Sequence, residues 1–258
     1  MSTILFEKIG SVAKITLNRP EVYNSFNREM SFELQGILDE CGKDPEVRAI
    51  YLTGAGKAFC AGQDLQEVIS DDGPPLKTIL EEHFNPIVKR LRAIEKPIVC
   101  AVNGVAAGAG ANFALACDIT VAKASSSFIQ AFSKIGLIPD SGGTYFLPRL
   151  IGRQRATALM MLGEKVSAAD AVDMGMIYKV FPDKKFDAES WGIAETLSQM
   201  PTKGLGLTKR ALNYSPEKDL DNQLDIEDTL QQEAGMTEDF REGVQAFIEK
   251  RKPEFKGQ

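Results

Sequence analysis

One histidine and one tryptophan occur in the 258 residues, and the four cysteines stand far apart. A single histidine, His83, excludes a multi-histidine metal centre, and it leaves room for a histidine-dependent triad only if it is the one member. Cys41, Cys60, Cys100 and Cys117 form no CxxC pair. Three of them lie in apolar stretches, which predicts reduced, buried thiols and no metal site. Positive charge is in short supply: 30 Lys and Arg face 36 Asp and Glu, a net charge of −6. That balance argues against nucleic acid or an anionic membrane as partner, although a local basic patch can still hold an anionic ligand. No charged stretch followed by an apolar one marks the N-terminus, so a cytoplasmic protein is expected. Between Pro97 and Cys117 no residue is charged, which raises the question of a membrane span. Pro97, Asn103, Gly104, Gly108, Gly110 and Asn112 interrupt that stretch, and a buried strand, a glycine turn and a buried helix account for it better.

Hydrophobic residues at 43% and charged residues at 26% are ordinary globular values, so disorder and coiled coil are not expected. Residues 3–8 and 12–18 read as strands, the second with Ala13, Ile15 and Leu17 alternating with polar neighbours. Leu34, Ile37, Leu38 and Cys41 sit at helical spacing in a helix over 28–42. Ala49–Thr53 and Pro97–Val102 read as strands. Between them, Asp71-Asp72-Gly73-Pro74-Pro75 breaks the chain before a helix carrying Leu80, Phe84, Ile87 and Leu91. The turn at 103–110 feeds a helix at 111–117. Ser167-Ala168-Ala169-Asp170 has the form of a capping box. Met176–Phe181 is the last strand, and nearly everything beyond 187 is helical. Neither a repeat nor a flexible linker is visible. The pattern predicts an α/β core with a packed helical extension.

Two segments are rich in small residues: Ala58-Phe59-Cys60-Ala61-Gly62-Gln63-Asp64-Leu65 and Asn103-Gly104-Val105-Ala106-Ala107-Gly108-Ala109-Gly110-Ala111-Asn112. Small residues let backbone approach a ligand, and N–H groups at a helix start favour an anion. Two converging N–H groups make a permanent oxyanion hole, each donor worth about 3–4 kcal/mol in a transition state. Tight packing of helix on strand explains the same composition. Asp140, in Pro139-Asp140-Ser141-Gly142-Gly143, reads on spacing alone more readily as a turn or helix N-cap than as a catalytic carboxylate. His83 lies at the edge of an apolar stripe with Leu76, Leu80 and Ile87, where a packed or pocket-lining role competes with a catalytic one.

Taken together, "LNRP", "FCAGQDL", "NGVAAGAGANFALACDI", "GLIPDSGGTYFLPRLIG" and "EGVQAFIEKRKPEF" resemble the crotonase (enoyl-CoA hydratase/isomerase) superfamily, in order and over essentially the whole chain. The resemblance implies a crotonase-like ββα superhelix over residues 1–195 and a helical region over 196–258 that builds trimers or hexamers. It implies a coenzyme A thioester as substrate and no separate cofactor or metal. Gln63 and Ala109 match the two residues whose N–H groups hold the thioester oxygen. Ala61, Asp64, Leu65, Gly108, Asn112 and Phe132 fall at substrate-binding positions, and Lys250 matches a contact to the CoA nucleotide.

The departures from the family pattern bear on the reaction. Family hydratases carry two glutamates, one to activate water and one to protonate carbon; here the positions hold Asn112 and Phe132, and neither does acid–base work. Asp140 stands where hydratases usually have glycine. That pattern resembles the dienoyl-CoA isomerases and, more closely, the ring isomerases of phenylacetate breakdown. It implies an isomerase with Asp140 as base. Two alternatives stay open: a dehalogenase-like enzyme with Asp140 as nucleophile and His83 as base, and a CoA-binding subunit without activity.

Overall fold

The computed structural model describes residues 2–258. The chain opens with an antiparallel pair, β1 (Ile4–Ile9) and β2 (Val12–Leu17), then α1 (Arg28–Lys43). Asn27 caps α1 by accepting from the Met30 N–H, and Leu34, Leu38 and Cys41 face inward at the expected spacing. The chain next climbs in repeating turns. Each turn lays one strand in a first sheet and a short strand in a second, then continues in helix. The strand pairs are β3 (Ala49–Gly54) with β4 (Ala58–Cys60), β5 (Ile98–Val102) with β6 (Val105–Ala107), and β7 (Ile119–Lys123) with β8 (Ser127–Ile129).

Helices intervene between the pairs. After β4 come α2 (Leu65–Val68), α3 (Leu76–Thr78), a π-helical turn (Ile79–Phe84) and α4 (Asn85–Ala93). After β6 comes α5 (Ala109–Ala116), and after β8 come α6 (Gly143–Ile151) and α7 (Arg153–Leu162). A closing hairpin-like strand β9 (Lys165–Ser167), α8 (Ala168–Asp173) and β10 (Lys179–Phe181) complete the two sheets. Their strand orders are β1-β2-β3-β5-β7-β10 and β4-β6-β8-β9, parallel except for β1–β2 and β8–β9.

This is the expected ββα spiral. Its repeat escapes notice in the sequence because the second strand of each turn is only three residues long, too short to show a period. The parallel strands also carry helices or sheet on both faces, so β5 is buried at every position, the continuous apolar run such strands require. The uncharged stretch from Pro97 to Cys117 becomes β5, β6 and α5, with all of α5 buried. The helix begins at Ala109, two residues earlier than its apolar pattern suggests. Among the described residues no helix is long and apolar enough to cross a membrane. All four cysteines are buried and free. Ser167 caps α8 by accepting from the Asp170 N–H, as its capping box predicts.

The rest is helix: α9 (Phe186–Ser198), α10 (Thr202–Tyr214), α11 (Leu220–Gly235) and α12 (Glu238–Glu249). The expected boundary at residue 195 falls within α9, which covers the outer face of the first sheet through Phe186 and Trp191, packed against Tyr51, Val99 and Val121. The buried Lys209 of α10 reaches Asp118 at 2.8 Å. Removing one partner of such a pair costs about 3–5 kcal/mol by leaving the other charge enclosed. Arg48 donates to Thr202, to the Met200 carbonyl and to the Phe255 carbonyl, tying both ends of the helical region to the core.

Candidate active site

The loop after β4 carries Gln63 between two hydrogen bonds to one residue. The Phe26 N–H donates to the Gly62 carbonyl at 2.7 Å, and the Asp64 N–H donates to the Phe26 carbonyl at 2.9 Å. That bridge fixes Gly62 and Asp64 and turns the Gln63 N–H away from the strand partner. A second support is Arg19 of "LNRP", which reaches the Asp64 carboxylate at 2.9 Å and the Ser25 carbonyl at 2.6 Å. Asp64 also caps α2 at the Gln66 N–H. Its buried carboxylate is therefore engaged by protein on both counts, and Asp64 braces the loop.

Ala109 is the first residue of α5, so its N–H is one of the donors a helix cannot satisfy internally. The Gly108 N–H before it donates to the Ile129 carbonyl at 2.9 Å. Among the described residues no acceptor takes the Gln63 or the Ala109 N–H. The two loops nearly touch: a Cβ on Gly62, whose φ is +95°, would lie 3.0 Å from the Ala107 carbonyl oxygen and 3.3 Å from the Ala109 nitrogen. The small residues therefore do pack helix on strand. Gly110 packs α5 so tightly on Cys60 that any Cβ would collide with it, and the N–H of the preceding residue, Ala109, stays open.

Phe132 is buried, and its ring edge lies 3.8 Å from where a Gly108 Cβ would be. Ala61 and Leu65 are exposed beside the Gln63 loop. Asn112, one turn along α5 from Ala109, is completely enclosed. Its side-chain Nδ2 donates to the main-chain carbonyl of Asp140 at 2.8 Å, and its Oδ1 accepts from Gln130 Nε2 at 2.8 Å.

Asp140 is half-buried ahead of α6. It is not a helix cap: α6 starts from Gly142, with no side-chain cap. Its carboxylate instead accepts from Ser141 Oγ at 2.9 Å. Ser141 holds φ at +50°, a left-handed conformation that costs a non-glycine residue about 1–2 kcal/mol. Burial pushes the Asp140 carboxyl up to about 6, with the Ser141 hydroxyl pulling the other way. No charged neighbour contributes to that shift. A carboxyl so placed is deprotonated near neutrality and still basic enough to take and return a proton.

His83 lies on the π-helical turn, buried, edge-on to Phe32 with ring centroids 5.3 Å apart, and among the described residues neither of its nitrogens is bonded. Burial depresses its basicity. Lys250 lies elsewhere, in the left-handed C-cap of α12, which packs on α11 and the terminal residues. Its neighbour Arg251 is held by Glu242 and Glu249. Gln130, Ser141 and Arg19 join the site without having been singled out from sequence. Ser141 and Arg19 fall inside quoted motifs, whereas Gln130 carries no local signal.

The family profile described as enoyl-CoA hydratase/isomerase matches residues 7–258. The chain is 48% identical to the 1,2-epoxyphenylacetyl-CoA isomerase of Escherichia coli, covering 100% of this chain and 99% of that one. It is 44% identical to a Rhodobacter capsulatus protein named "Probable enoyl-CoA hydratase", over 99% of this chain and 98% of that one. Among solved structures, the enoyl-CoA hydratase of Bacillus anthracis superposes with a TM-score of 0.92 at 34% identity, covering 99% of this chain and 100% of that chain. The ββα spiral, the paired N–H loops and these likenesses over the full length place the chain in the enoyl-CoA hydratase/isomerase, or crotonase, family.

Proposed function

We propose that this protein is an acyl-CoA isomerase in which Asp140 is the proton-transferring base and the Gln63 and Ala109 N–H groups are the oxyanion hole. The observation that carries the reading is the protonation chemistry around α5. A half-buried Asp140 with its carboxyl raised to about 6 is accompanied by Asn112 and Phe132 at the two hydratase glutamate positions. Coenzyme A enters as part of the substrate and no other cofactor is invoked. The thioester oxygen takes the two N–H donors, which stabilises negative charge on it and acidifies the adjacent carbon. Asp140 removes a proton from that region, leaving a dienolate, and the same carboxylic acid delivers the proton to another carbon. One C–H bond breaks and one forms, the double bond moves, and nothing is gained or lost.

An arene epoxide held in the same way rearranges its ring, 1,2-epoxyphenylacetyl-CoA becoming the oxepin thioester, again without change of composition. The 48% identity to the Escherichia coli isomerase favours that substrate. In this reading Ala61, Leu65, Gly108 and Phe132 line the acyl group, Lys250 meets the CoA nucleotide, and the protein is a cytoplasmic homo-oligomer. A direct assay offers the purified protein 1,2-epoxyphenylacetyl-CoA, a straight-chain 3-enoyl-CoA, a 2-enoyl-CoA and an aryl halide thioester. Isomerised product from either of the first two is expected. Hydration of the 2-enoyl-CoA as the main activity, halide release, or tight binding without turnover would each replace the reading with another.

A further inference from the structure

Building on that proposed base, we infer that Asn112 and Gln130 are positioning residues that lock the Asp140 loop to the helix supplying one of the oxyanion donors. Three separate pieces of chain meet here. Asn112 belongs to α5, three residues after Ala109 and so on the same face of the helix. Gln130 directly follows Ile129, whose carbonyl accepts from the Gly108 N–H at 2.9 Å. Asp140 precedes α6, and its carbonyl receives both Asn112 Nδ2 at 2.8 Å and the Gly143 N–H at 2.8 Å.

The direction of each bond is fixed by chemistry. A main-chain carbonyl only accepts, so the amide nitrogen of Asn112 must face Asp140. That leaves Asn112 Oδ1 enclosed and in need of a donor, which Gln130 Nε2 supplies at 2.8 Å. Both side chains are at least nine-tenths buried, so neither bond competes with water. Gly143 is part of the device: a Cβ there would collide with the Asn112 amide, so only glycine lets α6 start this close to α5. The consequence is a fixed distance between the Asp140 carboxylate and the Ala109 N–H. That distance is the quantity a proton transfer next to a polarised carbonyl depends on; misplacement by about 1 Å costs on the order of a hundredfold in rate.

The test uses turnover of 3-hexenoyl-CoA to 2-hexenoyl-CoA by four variants of the full chain: Asn112→Leu, Gln130→Met, Asp140→Asn and Asn112→Leu/Asp140→Asn. Asn112→Leu keeps volume and removes both bonds; Gln130→Met removes only the donor that orients Asn112. We expect kcat to fall about ten- to a hundredfold in Asn112→Leu, and by less in Gln130→Met, with KM unchanged in both. The double variant should be no slower than Asp140→Asn alone, because a residue acting through Asp140 has nothing left to position. Packing damage would instead raise KM and lower the rate further in the double variant, which overturns the inference. Wild-type kcat in folded Asn112→Leu beside an inactive Asp140→Asn overturns it while leaving the proposed base intact. If Asn112→Leu does not fold, Gln130→Met decides by the same kcat criterion. Full activity in Asp140→Asn removes the proposed base, and the positioning inference falls with it.

Discussion

Asn112 holds the carbonyl of Asp140 at 2.8 Å from within the helix that begins with the Ala109 N–H. The Asn112 side chain thus ties α5 to the loop that carries the Asp140 carboxylate.

Hydration of a 2-enoyl-CoA should therefore be negligible. Neither Asn112 nor Phe132 activates water, and Asn112 is enclosed with both ends of its amide engaged. Asn112→Glu should not create a hydratase, since the larger charged group would displace Asp140 and stay desolvated. Chromatography of the thioester products for 3-hydroxyacyl-CoA checks both; its rapid formation by the wild type would contradict the assignment.

Ala109→Pro should lower kcat by about a hundredfold to a thousandfold by removing one oxyanion donor. The substitution suits folding, because proline is favoured at the first position of a helix, where Ala109 stands. Circular dichroism and the turnover rate together check it: a folded variant of normal activity would show that this N–H is not used.

Much of this was legible in the sequence. The quoted motifs name both N–H loops and Asp140, and helical spacing finds α1 and the helix around Phe84 and Leu91. The short strands β4, β6 and β8 were not visible as strands, because three residues set no period. That Asp140 does not cap α6 was also closed to sequence, since it depends on where α6 begins and on a left-handed Ser141. Gln130 acts only through a side chain that is distant along the chain, 18 residues away.

Assembly should be a trimer or a dimer of trimers. Phe240, Val244, Phe247 and Ile248 of α12 are exposed, Phe247 at 86%. Apolar side chains concentrated on one helix are a surface that association would cover. Sedimentation at micromolar concentration checks this, and a monomer would contradict it.

The pH dependence has a definite sign. Turnover should fall below about pH 6 as the Asp140 carboxyl takes up its proton. The folded value lies above the unfolded value of 3.8, so the folded state binds this proton more tightly. Below pH 3.8 the group contributes nothing to stability either way; as pH rises through the window to about 6, the enclosed charge becomes a cost. Discounted for partial exposure, that cost is about 1–2 kcal/mol at pH 8. Asp140→Asn should be more stable than wild type by that amount at pH 8, the gain shrinking as pH falls toward 4; urea titrations of both proteins at several pH values measure it.

The central claim is tested most directly by the turnover of Asp140→Asn on 1,2-epoxyphenylacetyl-CoA and on a straight-chain 3-enoyl-CoA. The substitution keeps the size and the polar contacts of the side chain and removes the base. Collapse of isomerisation is predicted, with acyl-CoA binding unchanged and stability at or above that of wild type. Turnover retained in this stable variant would contradict the assignment of Asp140 as the proton-transferring group.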